Sequence, residues 1–194
     1  MKKENYVLWV VHTDFAEPGI DPHPASDFGK RKPPKSWHGI KLKSVNKLHL
    51  KGVIMAMSAA QEAGMHIVYE AEDKGNRFMK WAKAEGVNVD DIIKIKFDPD
   101  EQLEENELVD IFLNALRKKR VATPEIIFAG HHVDICIHSR AEELKKRGFR
   151  PYLIVGTAAM YAESDMLSRV RAEFAKERRI TIQQLKNFRS LKAV

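Results

Sequence analysis

Short runs of β-branched and aromatic residues alternate along this chain with longer segments of helical period. This alternation is typical of βα units, which build a parallel sheet covered by helices on both faces. The run from Tyr6 to Val11 has no polar alternation, so we predict that it is a fully buried first strand. The sequence therefore predicts a Rossmann-like α/β fold, doubly wound, with a mostly parallel sheet of about six strands.

The same patterning places the individual elements. We predict further strands at 66–70, 91–97, 125–129, 151–155 and 180–182, and helices at 44–64, 76–85, 104–120, 134–147 and 164–178. Residues 16–43 are rich in proline and charge, so we expect a long surface loop there. This loop leaves the carboxyl end of the first strand, where ligands bind in such sheets, and we expect Trp37 and His38 to border a pocket.

The size and apolar content of the chain limit its class. Its 194 residues fit a single domain over 1–194, since domains commonly run about 100 to 200 residues. The longest apolar stretches fall well short of the roughly 20 residues that cross a bilayer, so we expect no membrane span. Lys2 and Lys3 precede a short apolar run with no cleavage site of small residues behind it. We therefore expect no secretory signal and a cytoplasmic location.

The formal net charge of +6 raises the question of an anionic partner. Most basic residues alternate with acidic ones on helices, as in 141–147, which is the pattern of a solvated helical face. One unbroken basic cluster, at 29–35, lies within the long loop. We expect this cluster to be solvated and predict no nucleic-acid partner.

The single cysteine, Cys136, is placed where chemistry is expected. The fourth predicted strand ends at Gly130 and the next helix opens near Asp134, so Cys136 lies in the first helical turn. The positive end of the helix dipole favours a thiolate there, and the free amides of the turn can stabilise an oxyanion. The alternative is that Cys136 is a small buried apolar residue. One cysteine forms neither an internal disulfide nor a multi-thiolate zinc site.

Three segments of this chain resemble a known family. Residues 126–149 are similar to the nucleophile segment of the isochorismatase-like cysteine hydrolases, which include isochorismatases, nicotinamidases and N-carbamoylsarcosine amidases. Thr13-Asp14-Phe15 resembles the opening of that family, and Asp91 to Lys96 resembles the strand that carries its catalytic lysine. In the nucleophile segment, Val133 stands where the family usually has threonine. The residues that fit the pattern are Gly130, Asp134, Cys136, Gly148 and Phe149.

The resemblance implies a site built from a triad of Asp, Lys and Cys, in which the thiolate attacks a carbonyl or related carbon. It assigns Cys136 as the nucleophile and Lys96 as the lysine, with Lys94 as the alternate two residues away on the same strand. It also implies that the backbone amides of His132 and Cys136 bind the oxyanion, in a turn formed by His131 and His132. The implied partners are a small-molecule substrate and further copies of the chain in a homo-oligomer.

One departure from the family concerns the acid. Counting back from Asp14, the position of the catalytic Asp is held by Val10, which accepts no proton. Asp14 lies slightly further along and is our first replacement for the missing base, and His12 is an auxiliary candidate. His131 and His132 lie beside the nucleophile and are further candidates, because a histidine next to a cysteine is a familiar activating pair. Asp21 and Asp27 in the long loop are remote alternatives.

A second departure concerns metal binding. Nicotinamidase-type members carry a metal site of Asp and His residues after the second strand, but this chain has Glu70-Ala-Glu-Asp73 there. The pair Asp21 and His23 lies in a different segment, and we interpret it as part of the loop. We therefore predict no metal and no cofactor.

Two functions remain open from the sequence. The first is a cysteine hydrolase that cleaves a small-molecule amide or related C–N or C–O bond, and the intact Cys136 with a nearby lysine favours it. The second is a non-catalytic relative that acts as a binding or assembly module, and Val10 and Val133 favour it.

Overall fold

The computed structural model describes residues 5–11, 36–37, 40–71, 77–96, 103–122, 124–130, 136–158, 174 and 178–187. The strands are β1 (Tyr6–Val11), β2 (Ser36–Trp37), β3 (Ile40–Lys41), β4 (His66–Ala71), β5 (Ile93–Lys96), β6 (Glu125–Gly130), β7 (Tyr152–Ala158) and β8 (Arg179–Ile180). The α-helices are α1 (Leu42–Glu62), α2 (Arg77–Ala84), α3 (Glu105–Lys118), α4 (Cys136–Lys146) and α5 (Ile182–Lys186), and a 3₁₀ helix spans Val89–Asp91.

Six strands form one sheet in the order β5-β4-β1-β6-β7-β8. Every neighbouring pair in this sheet is parallel. The central strand β1 is buried along its whole length, as its unbroken apolar run predicts. The predicted doubly wound α/β fold with about six parallel strands is confirmed.

Two apolar clusters cover the two faces of the sheet. The first, which we name the α1 side, joins one face to α1, α2 and α5 and includes Leu8 and Val10. The second, the α3 side, joins the opposite face to α3 and α4 and includes Trp9 and Val11. At its centre the Trp9 ring stacks on Phe112 of α3, with 3.7 Å between ring centroids.

Local sequence signals explain where two of the helices begin. At the start of α3 the backbone N–H of Glu104 donates to the Glu107 carboxylate at 2.8 Å, and Glu105 and Glu107 lie at the positive end of the helix dipole. At the start of α5 the Thr181 hydroxyl accepts from the backbone N–H of Gln184 at 3.2 Å. The Gln184 side chain in turn accepts from the Thr181 N–H at 2.8 Å.

Several predicted boundaries are wrong. Part of the loop predicted at 16–43 forms the antiparallel hairpin of β2 and β3. The helix predicted to begin at Ser44 begins two residues earlier, at Leu42. The strand predicted at 180–182 ends at Ile180, because Thr181 caps α5. The strand predicted at 91–97 is shorter, since its start is the 3₁₀ helix. The helix predicted at 164–178 lies almost entirely outside the described residues.

Among the described helices, none combines the length and the apolar character that a membrane span requires.

Candidate active site

Cys136 is the first residue of α4, which follows β6 in the chain. It is partly buried and packs against the α3-side cluster. A helix leaves its first N–H groups without an intrahelical acceptor, and its dipole is positive at that end. Cys136 therefore has the placement that favours a reactive thiolate in a parallel α/β sheet.

Gly130 is the last residue of β6, six residues before Cys136 in the chain. Its φ angle is +116°, which L side chains rarely adopt. A Cβ atom at this position would collide with the main chain of Val11 on the neighbouring strand. The glycine predicted from the family pattern is thus required by the close approach of two backbones.

A buried network of charges lies next to Cys136. Arg140, which is 1% exposed, donates from Nε to Glu70 Oε1 at 2.8 Å and from Nη2 to Glu70 Oε2 at 3.1 Å. Its Nη1 atom donates to the Cys136 carbonyl oxygen at 3.0 Å and lies 3.2 Å from Glu105 Oε2. One guanidinium therefore joins β4, the start of α3 and the first turn of α4.

The two acids of this network have perturbed pKa values. Burial raises the pKa of Glu70 above its ordinary value, and the charge and hydrogen bonds of Arg140 act against this rise. The indole N–H of Trp9 also favours the ionised Glu70, at a geometry short of a full hydrogen bond. Burial likewise raises the pKa of Glu105, opposed by Arg140 and reinforced by the charge of Glu104.

Val10 and the two candidate lysines lie on the other face of the sheet. Val10 is fully buried on the α1 side, whereas Cys136 packs on the α3 side. Ile95 of β5 belongs to the α3 side, so strand alternation places Lys94 and Lys96 on the α1 side, where both are exposed. A carboxylate in place of Val10 would therefore lie on the face that carries the lysines.

The strand register distinguishes the two lysines. Val10 pairs with Tyr69, and Tyr69 pairs with Lys94, so a buried tyrosine separates Val10 from this lysine. Lys96 pairs with Ala71, the last residue of β4, and lies nearer the carboxyl edge. The register thus favours Lys96 over Lys94 as a residue of a site at that edge.

Four other predicted site residues lie outside the described residues and stay predictions: His12, Asp14, His131 and His132. The loop segment with Asp21 and Asp27 also lies outside them.

Sequence reasoning missed the charge network next to Cys136. Two signals were available: an arginine four residues after the cysteine, on the same helical face, and a glutamate at the end of an apolar strand. Neither signal identifies its partner, because Glu70 and Arg140 are 70 residues apart in the chain.

The arrangement of possible metal ligands is known for the part of the chain that the structure describes. No group of three or more His, Cys, Asp or Glu side chains is arranged there to hold an ion. Glu70, the first residue of the acidic segment at 70–73, is bound by Arg140 on both carboxylate oxygens.

Comparison with known proteins gives matches by structure alone. No protein-family model and no curated protein matches the sequence. The structure is similar to the YcaC gene product from Escherichia coli, which is described as an octameric hydrolase of unknown specificity. The TM-score is 0.60 at 14% sequence identity, and the match covers 96% of this chain and 79% of that one. The structure is also similar to an isochorismatase-like hydrolase from Alkaliphilus metalliredigens, with a TM-score of 0.58, 11% identity, and coverage of 94% and 98%.

A third similar structure is the pyrazinamidase of Pyrococcus horikoshii in complex with zinc. Its TM-score is 0.56 at 15% identity, and the match covers 91% of this chain and 98% of that one. These three similarities each extend over more than nine-tenths of this chain. The chain therefore has the isochorismatase-like hydrolase fold, as the sequence resemblance implies.

Proposed function

We propose that this protein is a cysteine hydrolase that cleaves a small-molecule amide, or a related C–N or C–O bond, with the Cys136 thiolate as nucleophile. The observation that carries the proposal is the position of Cys136, which is the first residue of the helix that follows β6 in an isochorismatase-like hydrolase fold. In such sheets reactive groups collect at the carboxyl ends of the strands.

The proposed reaction has two steps. The thiolate attacks the carbonyl carbon, a C–S bond forms, and the negative charge on oxygen is stabilised by backbone amides at the start of α4. The C–N bond then breaks, and the amine leaves with a proton delivered by a neighbouring acid. Water then attacks the resulting thioester and returns one proton to that acid, the C–S bond breaks, and the products are a carboxylic acid and the free thiolate.

The other roles in this reaction follow the family resemblance and are part of the proposal. Lys96 stabilises the anionic groups, and Asp14 takes the thiol proton in place of the acid lost at Val10. The turn of His131 and His132 supplies an oxyanion amide beside that of Cys136. Residues 1–194 form one domain that carries this whole site.

The test is turnover of a panel of amides, esters and carbamoyl compounds by the wild type and by Cys136→Ala. We expect the wild type to hydrolyse at least one compound and Cys136→Ala to lose that activity, since no other residue supplies the nucleophile. Lys146→Ala, a change of a 72% exposed side chain at the far end of α4, is the matched control and should keep full activity. A wild type that is inert toward the whole panel would contradict the proposal.

We also propose that the protein self-associates. The support is the similarity to the YcaC gene product, which is an octamer. Analytical ultracentrifugation should give a mass that is a multiple of 22.2 kDa. A single species at the chain mass across the micromolar range would contradict this.

A further inference from the structure

We propose that Arg140 is a positioning residue for Cys136, which fixes the first turn of α4 against the sheet and places a permanent positive charge beside the thiol. The inference rests on the proposed role of Cys136 as a nucleophile. It concerns a residue that the triad of the family does not include.

The hydrogen bonds of Arg140 give the guanidinium one orientation. Glu70 accepts from Nε and Nη2 at 2.8 and 3.1 Å, so one edge of the planar group is fixed to β4. Side chains on a helix point back toward its N-terminus, and Nη1 accordingly reaches the Cys136 carbonyl oxygen at 3.0 Å. The backbone of the nucleophile is thereby joined to the sheet through a single side chain.

Stability alone does not account for this arrangement. A buried ion pair is on balance no more stabilising than well-packed apolar side chains, because both charges lose their hydration. Glu70 and Arg140 are each nearly fully buried within an otherwise apolar layer. The pair of Glu70 and Arg140 holds the guanidinium charge in a fixed position, which a pair of apolar side chains does not do.

The charged groups around Arg140, beside the first turn of α4, come from three described elements. Arg140 lies on α4, Glu70 on β4, and Glu105 on α3 with Glu104 beside it. Burial by itself would lower the pKa of Arg140, but the charges of Glu70, Glu105 and the Cys136 thiolate raise it. This coupling is reciprocal, so Arg140 favours the thiolate. The Glu105 carboxylate, 3.2 Å from Arg140 Nη1, carries the opposite charge and therefore acts in the opposite sense on the thiol.

The opposite signs of Arg140 and Glu105 define the test. The pH dependence of iodoacetamide labelling of the folded protein gives the pKa of the Cys136 thiol without any substrate. We expect Arg140→Gln to raise this pKa by about one pH unit or more, as for loss of a nearby opposite charge. Glu105→Gln should lower it by a smaller amount, because this side chain is 40% exposed and screened by water.

A second ion pair, between α3 and the turn that follows α4, provides the controls. Arg147, in the turn after α4, contacts Asp110 of α3 at 3.0 Å. Arg147 is seven residues after Arg140 in the chain and is therefore further from Cys136. Arg147→Gln and Asp110→Asn remove the same charges from the same helix pair, and neither should change the thiol pKa. Circular dichroism and thermal unfolding confirm that each variant is folded.

Opposite changes in Arg140→Gln and Glu105→Gln, with no change in the two controls, are the expected result. Equal thiol pKa values in all folded variants, or changes of the same sign in the two test variants, would overturn the inference. If Arg140→Gln does not fold, the test rests on Glu105→Gln: a lower pKa of the Cys136 thiol supports the inference, and an unchanged or higher one overturns it. Hydrolysis of the amide panel is scored separately, so a protein with the expected thiol behaviour and no turnover contradicts only the proposed function.

Discussion

At Gly130, which ends β6 near the candidate site, main-chain geometry strongly restricts which residue the position accepts. Its φ angle of +116° and its approach to Val11 act together, whereas Gly148 has a φ of +84° with open space around it. The two glycines therefore separate the cost of the backbone conformation from the cost of a collision.

We expect Gly148→Ala to lower the free energy of unfolding by about 1–2 kcal/mol, the cost of a left-handed conformation for an L residue. Gly130→Ala should lower it by about 2–5 kcal/mol, because β1 and β6 must also separate to admit the Cβ atom. Urea denaturation of the two variants measures both values. Equal losses would show that the strands accommodate the added atom without strain.

At the scale of elements, the pair of Glu70 and Arg140 connects β4 to α4 through the α3 side of the core. Removing one partner leaves an uncompensated charge in a place that water does not reach. Replacing both partners with apolar residues removes that cost. This contrast predicts strong coupling between the two positions.

We expect Arg140→Met to lower the free energy of unfolding by about 3–5 kcal/mol, and Glu70→Leu combined with Arg140→Met to recover most of that loss. The control is Lys186→Met, which breaks a surface pair with Glu62 at 3.0 Å and should cost about 0–1 kcal/mol. Chemical denaturation of the wild type, Arg140→Met, Glu70→Leu and the double variant gives the coupling energy, and Lys186→Met is measured alongside them. An Arg140→Met loss no larger than that of the surface control would contradict the assignment of a buried charge pair.

The elements also show what sequence patterning can resolve. The strand β1 and the helix α3, predicted at 104–120, were predicted correctly, because a buried face imposes its period on the residues themselves. The hairpin of β2 and β3 was missed, since two strands of two residues each are too short to show any period. Thr181 was assigned to a strand because its role as a helix cap depends on Gln184, three residues further on.

On the scale of the whole molecule, the sheet order explains why the candidate site was only partly predictable. The family resemblance proposes Cys136 and the strand of Lys96, but the face of the sheet on which each side chain lies follows from the packing of the two apolar clusters. The sequence also gave no sign that Glu70, Glu105 and Arg140 converge, because they belong to three separate elements. Long-range charge pairs have no periodic signature that a single sequence can reveal.

The central claim is that Cys136 is a nucleophile, and the most direct test is its rate of labelling by iodoacetamide in the native protein at pH 7. Cys136 is the single cysteine of the chain, so the labelled mass reports one site. We expect the folded protein to be labelled faster than the same protein unfolded in urea, because the start of α4 and the guanidinium of Arg140 favour the thiolate. Labelling that occurs only after unfolding would show a buried structural cysteine and contradict the account.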